Sequence, residues 1–259
     1  MRLVVALSAV LLCATVSVQA QEFQLKHGEE ENTIPPWAGD VEVGVVLSRG
    51  NTEATAVRTN AELKHELEDF RNKYFIQTLL QRNTQTNSAT GEREDNTTGQ
   101  RVGVTAQSNY KFFRSDSSLF GRAAYLNDRF GAFREQSSIA VGYANRLYED
   151  GQNYFDFETG PGVAYDRPSE GESNSGMIWY AAGNFEYHFS ETSKFKQTLE
   201  YAISLDGHNT SYTSRSAVTA QINNQLALRL SLNIKYDSDV GVDKKSTDSE
   251  TAASIVYSF

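Results

Sequence analysis

From Leu226 to Tyr236 every second residue is large and apolar. Leu226, Leu228, Leu230, Leu232, Ile234 and Tyr236 alternate with Ala227, Arg229, Ser231, Asn233 and Lys235. In an extended chain successive side chains point to opposite faces, so this segment carries one apolar face and one polar face. A strand in a soluble sandwich sustains such a pattern for about five or six residues. About eleven residues is the length that crosses a bilayer at a tilt. The alternation returns in the final residues, where Ser249, Thr251, Ala253, Ile255, Tyr257 and Phe259 occupy every second position. In water, a terminal strand with an open aromatic edge invites mispairing. A closed barrel removes that edge by pairing the last strand with the first.

Ten further segments alternate in the same way, which predicts an all-β, transmembrane antiparallel β-barrel of about twelve strands. The predicted strands are 41–48, 55–67, 73–83, 99–112, 118–128, 137–148, 153–165, 176–188, 194–206, 210–222, 225–237 and 249–259. In 118–128 and 153–165 the pattern leaves the outward face undecided. The intervening segments sort into short turns at 68–72, 113–117, 149–152, 189–193 and 223–224, and loops at 49–54, 83–98, 129–136, 166–175, 207–209 and 238–248. An even strand number with the longer connections outside predicts that both the N- and C-termini are periplasmic. Phe70, Phe112, Phe113, Tyr148, Tyr154, Phe189, Phe195 and Phe259 fall beside the short turns, where a girdle of aromatic rings at the membrane boundary would sit.

The first twenty residues read as an export address. Arg2 precedes an apolar run ending in Val18-Gln19-Ala20, a small-x-small site that predicts a signal peptide over 1–20, cleaved after Ala20. Residues 21–36 are expected to form a charged periplasmic linker closed by Pro35 and Pro36, and residues 37–259 the barrel. Cys13 lies in the predicted signal, so the mature chain would have no thiol chemistry. Without Arg2 the balance is 23 Lys and Arg against 33 Asp and Glu, a net charge of −10. That excludes nucleic acid as an expected partner, because phosphate binding needs a basic footprint. No mature segment has the ~20 apolar residues of a membrane helix. An outer-membrane location follows as an expectation, with outer-membrane lipid, lipopolysaccharide and the outer-membrane assembly machinery as partners.

The opening Trp37-Ala-Gly-Asp-Val-Glu-Val-Gly, followed by Ser48-Arg-Gly-Asn-Thr52, resembles the start of the salt-induced outer-membrane protein family (YdiY-like, a domain of unknown function). Tyr125-Leu-Asn-Asp-Arg-Phe130, Gly142-Tyr143 and Glu158-Thr-Gly-Pro-Gly162 are similar to its middle. Tyr236-Asp237, Lys244-Lys245, Asp248 and the terminal Tyr257-Ser-Phe259 are similar to its end. The resemblance spans roughly 37–259 and implies an outer-membrane barrel; it supplies no catalytic residues.

A search for chemistry returns little. Of the four histidines, His188 lies in Tyr187-His-Phe-Ser190, similar to the His-x-Ser of outer-membrane phospholipase. Its predicted place at the inner end of a strand is wrong for an enzyme facing outer-leaflet lipid, and no third residue completes a triad. No zinc-type spacing occurs. Neither Asp237, Asp239 and Asp243 nor Glu92, Glu94 and Asp95 has the ligand order of a calcium loop. These carboxylates read as solvated, with divalent cations that bridge lipopolysaccharide as the alternative. No catalytic residue, metal or cofactor is expected.

The charged residues opposite the apolar stripe remain: Glu62, Lys64, Arg101, Arg122, Arg146, Glu186, Glu200, Arg215, Arg229 and Lys235. Both signs occur, so these groups can pair across a lumen, and buried charges need such partners. One reading is a lumen plugged by ion pairs; the other is a narrow passage whose lining selects small solutes or ions. Twelve strands fall between the side-chain-filled small barrel and the open porin. A narrow passive channel or envelope component leads, linked to salt or osmotic stress by the family resemblance alone, and a non-conducting barrel acting through its outer loops in binding or envelope stability is the alternative. Ile255, Tyr257 and Phe259 resemble the C-terminal signal that assembly machinery reads.

Overall fold

The computed structural model describes residues 37–49, 54–86, 93–112, 117–241 and 244–259. The predicted signal peptide, the linker, Phe113, Glu92 and Asp243 lie outside the described residues. Twelve strands follow one another: β1 (Trp37–Arg49), β2 (Ala54–Glu66), β3 (Phe70–Thr86), β4 (Arg93–Lys111), β5 (Ser117–Asp128), β6 (Phe133–Asp150), β7 (Asn153–Pro168), β8 (Asn174–Ser190), β9 (Ser193–Ser204), β10 (Ser211–Gln221), β11 (Leu226–Asp237) and β12 (Thr247–Ser258). Each pairs antiparallel with its chain neighbours, and β1 pairs with β12, closing the barrel. The shortest strand has 11 residues, enough to cross a bilayer at a tilt.

The two faces invert the arrangement of a soluble protein. Val43, Ile139 and Leu230 are outward and 52%, 60% and 59% exposed, whereas Glu42, Arg58, Ser231 and Glu250 are buried inside. Such an apolar exterior, continuous around the sheet, is the surface of a transmembrane barrel. The seam is tightly closed. The amide and carbonyl of Phe259 exchange 2.9 Å hydrogen bonds with Gly39, and the Phe259 ring covers the space a Gly39 side chain would take.

Glycines allow two tight corners. At β6–β7, a Cβ on Gly142 would lie 2.1 Å from the Thr159 carbonyl oxygen, and one on Gly160 2.1 Å from that of Val141. At β1–β12, a Cβ on Gly44 would lie 2.2 Å from Ser254 Oγ. Glycine commonly marks a bend at a barrel corner. These corners are half the strand count apart, so the wall β2–β5 faces the wall β8–β11 and side chains from the two can meet.

The two undecided segments gain faces. Leu119 and Tyr125 of β5 point outward while Phe120 and Arg122 point inward; Val163 and Tyr165 of β7 are outward and Glu158 inward. Apolar residues sit on both faces of β5 because Phe120 packs inside against Tyr180, 5.8 Å between ring centroids.

Two expectations need correction. The loop expected at 83–98 is mostly strand: β3 and β4 stay paired out to Thr86 and Arg93, past a bulge at Gln81/Arg82. A ladder is held by backbone hydrogen bonds and needs no apolar stripe, so it continues past the point where the alternation ends. Tyr154 does not join an outer girdle. It faces the lumen, where its hydroxyl donates to Glu186 Oε2 at 3.3 Å.

Candidate functional site in the barrel lumen

Strand parity places all ten charges singled out above on the inner face, and each of them makes an ion pair. At mid-height Glu200 of β9 accepts from Arg215 of neighbouring β10 at 2.7 Å and from Arg122 of β5, on the opposite wall, at 3.5 Å. The Arg122 guanidinium also lies 5.0 Å from the centre of the Tyr180 ring, a cation–π contact. This belt separates two cavities of about 200 and 210 Å³ that share Arg122, Tyr180, Glu200, Arg215, Gln77, Thr105 and Asn233 as lining.

The first cavity lies on the loop side, toward the ends of β1 and β12 that carry Arg49 and Thr247. Its cations are fully engaged. Arg101 donates from Nε to Asp128 at 2.7 Å and pairs also with Glu250. Lys235 pairs with Asp237 at 2.8 Å and donates to Gln136. Asp237, expected to be a solvated carboxylate, is instead buried in the lumen, where it further accepts from Asn209 at 3.0 Å and from Gln136 at 3.1 Å; parity with Lys235 turns its side chain inward. These bonds tie β4 to its neighbour β5 and, across the lumen, join β4 to β12 and β11 to β6.

The second cavity lies on the terminal side, toward Trp37 and Phe259. Near the β1–β12 seam Glu42 gathers Arg58 at 2.9 Å and Arg229 at 3.0 Å, and Arg58 reaches Ser231 at 2.9 Å. Farther round, Glu62 lies 3.5 Å from Lys64 and 3.7 Å from Lys196 on the facing wall. Glu186 accepts from Lys194 at 3.0 Å. Arg146, outside the cavity lining, holds Asp156 through two bonds of 2.6 and 3.0 Å under the Tyr154 ring.

Several groups escaped the sequence reading: Glu42, Arg58, Lys73, Glu158, Lys194, Lys196 and Glu250. The alternation itself could have found them, since each sits one position from an outward residue. Lys73 is adjacent to Tyr74 and Lys196 to Phe195; extending parity to the strand ends was the unused signal. His188 does not meet Ser190. Its Nε2 lies 3.5 Å from Glu186, while Ser190 Oγ lies 3.5 Å from Thr192 Oγ1, and a bulge separates the two residues. Among the described residues no group of His, Cys, Asp or Glu is placed to hold a metal ion. Ile255, Tyr257 and Phe259 all point outward, and the Tyr257 and Phe259 rings stack 6.3 Å apart.

A closed barrel of twelve antiparallel strands with an apolar exterior and a charged interior defines the class: a transmembrane β-barrel protein. Residues 41–259 match the family described as "Protein of unknown function, DUF481", and the chain belongs to that family. It is 25% identical over 228 residues to "Uncharacterized protein YdiY" of Escherichia coli (strain K12), a match covering 86% of this chain and 83% of the relative. Among solved structures it is similar to the NanC porin, with a TM-score of 0.51 and 9% identity over 84% of this chain and 98% of the porin. The translocator domain of autotransporter NalP from Neisseria meningitidis is more distant, with a TM-score of 0.46 and 9% identity over 88% and 90% of the chains. These likenesses concern the fold.

Proposed function

We propose that this protein is a narrow passive channel of the outer membrane, latched at mid-height by Arg122, Glu200 and Arg215. The observation that carries the reading is the pair of polar cavities meeting at one belt of side chains. A barrel serving only as a wall could fill its interior with apolar side chains, as Val46, Ala56, Leu79 and Ala252 do locally. Here the axis is lined by groups that water and ions can solvate, and only side chains lie between the chambers. The terminal side then faces the periplasm, because it carries the shorter connections. Lipid and lipopolysaccharide surround the apolar exterior, Ile255, Tyr257 and Phe259 present the assembly signal, and small solutes or ions use the lumen. The salt-induced label of the resembling family suggests osmotic stress as the setting.

The alternative, a non-conducting barrel acting through its loops, draws support from the cross-lumen ion pairs. Planar-bilayer recording separates the two. Purified protein should give small, discrete current steps; folded protein that stays silent would leave only the alternative.

A further inference from the structure

Four lysines converge on the terminal-side cavity. Lys64 and Lys73 stand directly opposite each other in the β2–β3 register, and both line the cavity. Lys194 and Lys196 share the inner face of β9 and line the same space. The 3.7 Å approach of Lys196 to Glu62 brings the β9 lysines against the β2–β3 lysines across the lumen.

The pairing there is incomplete. Glu62 serves both Lys64 and Lys196, at 3.5 and 3.7 Å, beyond the ~2.7–3.2 Å of a good N–H···O bond. Lys194 has Glu186. Lys73 makes no ion pair among the described residues. Of the other carboxylates that line the cavity, Glu158 accepts from Gln107 at 2.9 Å, Glu42 holds Arg58 and Arg229, and Glu200 holds Arg215 and Arg122. Each ammonium carries three N–H donors, and the ammonium groups of Lys64, Lys73 and Lys196 make no hydrogen bond among the described residues. Like charges directly opposite on neighbouring strands oppose folding. A chain with a net charge of −9 nevertheless concentrates four cations in one confined place.

We infer that this cavity binds a small polyanion, a solute bearing two or more carboxylate or phosphate groups. Such a ligand accepts the unengaged N–H donors and turns the Lys64–Lys73–Lys196 repulsion into shared attraction. The low-dielectric barrel walls concentrate the field of the lysines on the axis. The inference rests on the channel reading for its physiological sense, because a solute held at one mouth matters most if it can pass. The binding step itself needs no conduction.

The test titrates the full-length folded barrel in detergent micelles with pyrophosphate and with citrate, by calorimetry at low ionic strength. At least one probe should bind, and added salt should weaken it. Lys73→Gln with Lys196→Gln should weaken binding by about tenfold or more. The matching arginine pair should restore it, and Lys244→Gln with Lys245→Gln, in the β11–β12 loop, should leave it unchanged. If the double variant fails to fold, Lys73→Gln alone carries the test, because it breaks no ion pair among the described residues, and should weaken binding several-fold. Pyrophosphate binding without citrate binding would assign the site to phosphates, and the reverse to carboxylates. No binding of either probe at millimolar concentration, or an equal loss in the loop variant, would overturn the inference. Binding by a protein silent in bilayers would keep the site and remove the channel; conduction without binding would do the reverse.

Discussion

On the loop side of the Arg122–Glu200–Arg215 belt, Arg101 sits between Asp128 and Glu250, and Lys235 has Asp237 within 2.8 Å. On the terminal side, Glu62 and Glu186 share the ion pairs of three of four lysines, and Lys73 has none. The same residue types, on the same inner face, therefore do different work. Where carboxylates match cations, the charges tie opposite walls together and hold the shape. Where cations exceed carboxylates, the fold tolerates repulsion and leaves donors for something else. Pairing stoichiometry, not charge itself, separates the tied parts of the lumen, which include Glu42 with Arg58 and Arg229 on the terminal side, from the lysine cluster.

The sharpest way to break this contrast is to remove one cation from each side. Arg101→Leu leaves two buried carboxylates without their guanidinium and should destabilise the barrel by about 3 kcal/mol. Asp128 keeps the amides of Phe130 and Gly131, at 3.2 and 3.0 Å, which holds the loss near the low end. Denaturant unfolding followed by tryptophan fluorescence would read it. Leu230→Arg tests the faces themselves: arginine toward lipid at mid-depth should cost about 2–4 kcal/mol and impair insertion. Arg229→Leu should cost less than Leu230→Arg, and equal tolerance of the two would sink the face assignment. The smallest effect should have the opposite sign. Lys73→Met relieves a directly opposed lysine pair and should stabilise by about 0.2–1 kcal/mol. A destabilisation like that of Arg101→Leu would erase the distinction between the tied parts and the lysine cluster.

Much of the barrel was legible because membrane crossing imposes a two-residue period. Residues 225–237 displayed it fully, with five leucine or isoleucine side chains on one face. The period fails where its cause is absent. Residues 83–86 and 93–96 pair without alternating, and a ladder of that kind reads as loop. Within β5, Phe120 packs inward on Tyr180 and blurs the stripe. The lumen charges could be assigned to a face by parity, yet their pairing could not. Glu62 and Lys196 lie far apart in sequence and meet only across the closed lumen. Lys73 beside Tyr74, and Lys194 and Lys196 flanking Phe195, look in the sequence like ordinary boundary residues near strand ends.

The central claim, a narrow passage latched by Glu200, is tested most directly by single-channel recording of the wild type beside Glu200→Gln. The substitution keeps the size of the side chain but removes the charge that holds Arg122 and Arg215 together. The account predicts small discrete steps for the wild type and larger or longer-lived steps for Glu200→Gln. Identical conductance in the two proteins, or silence in both while each is folded, would contradict it.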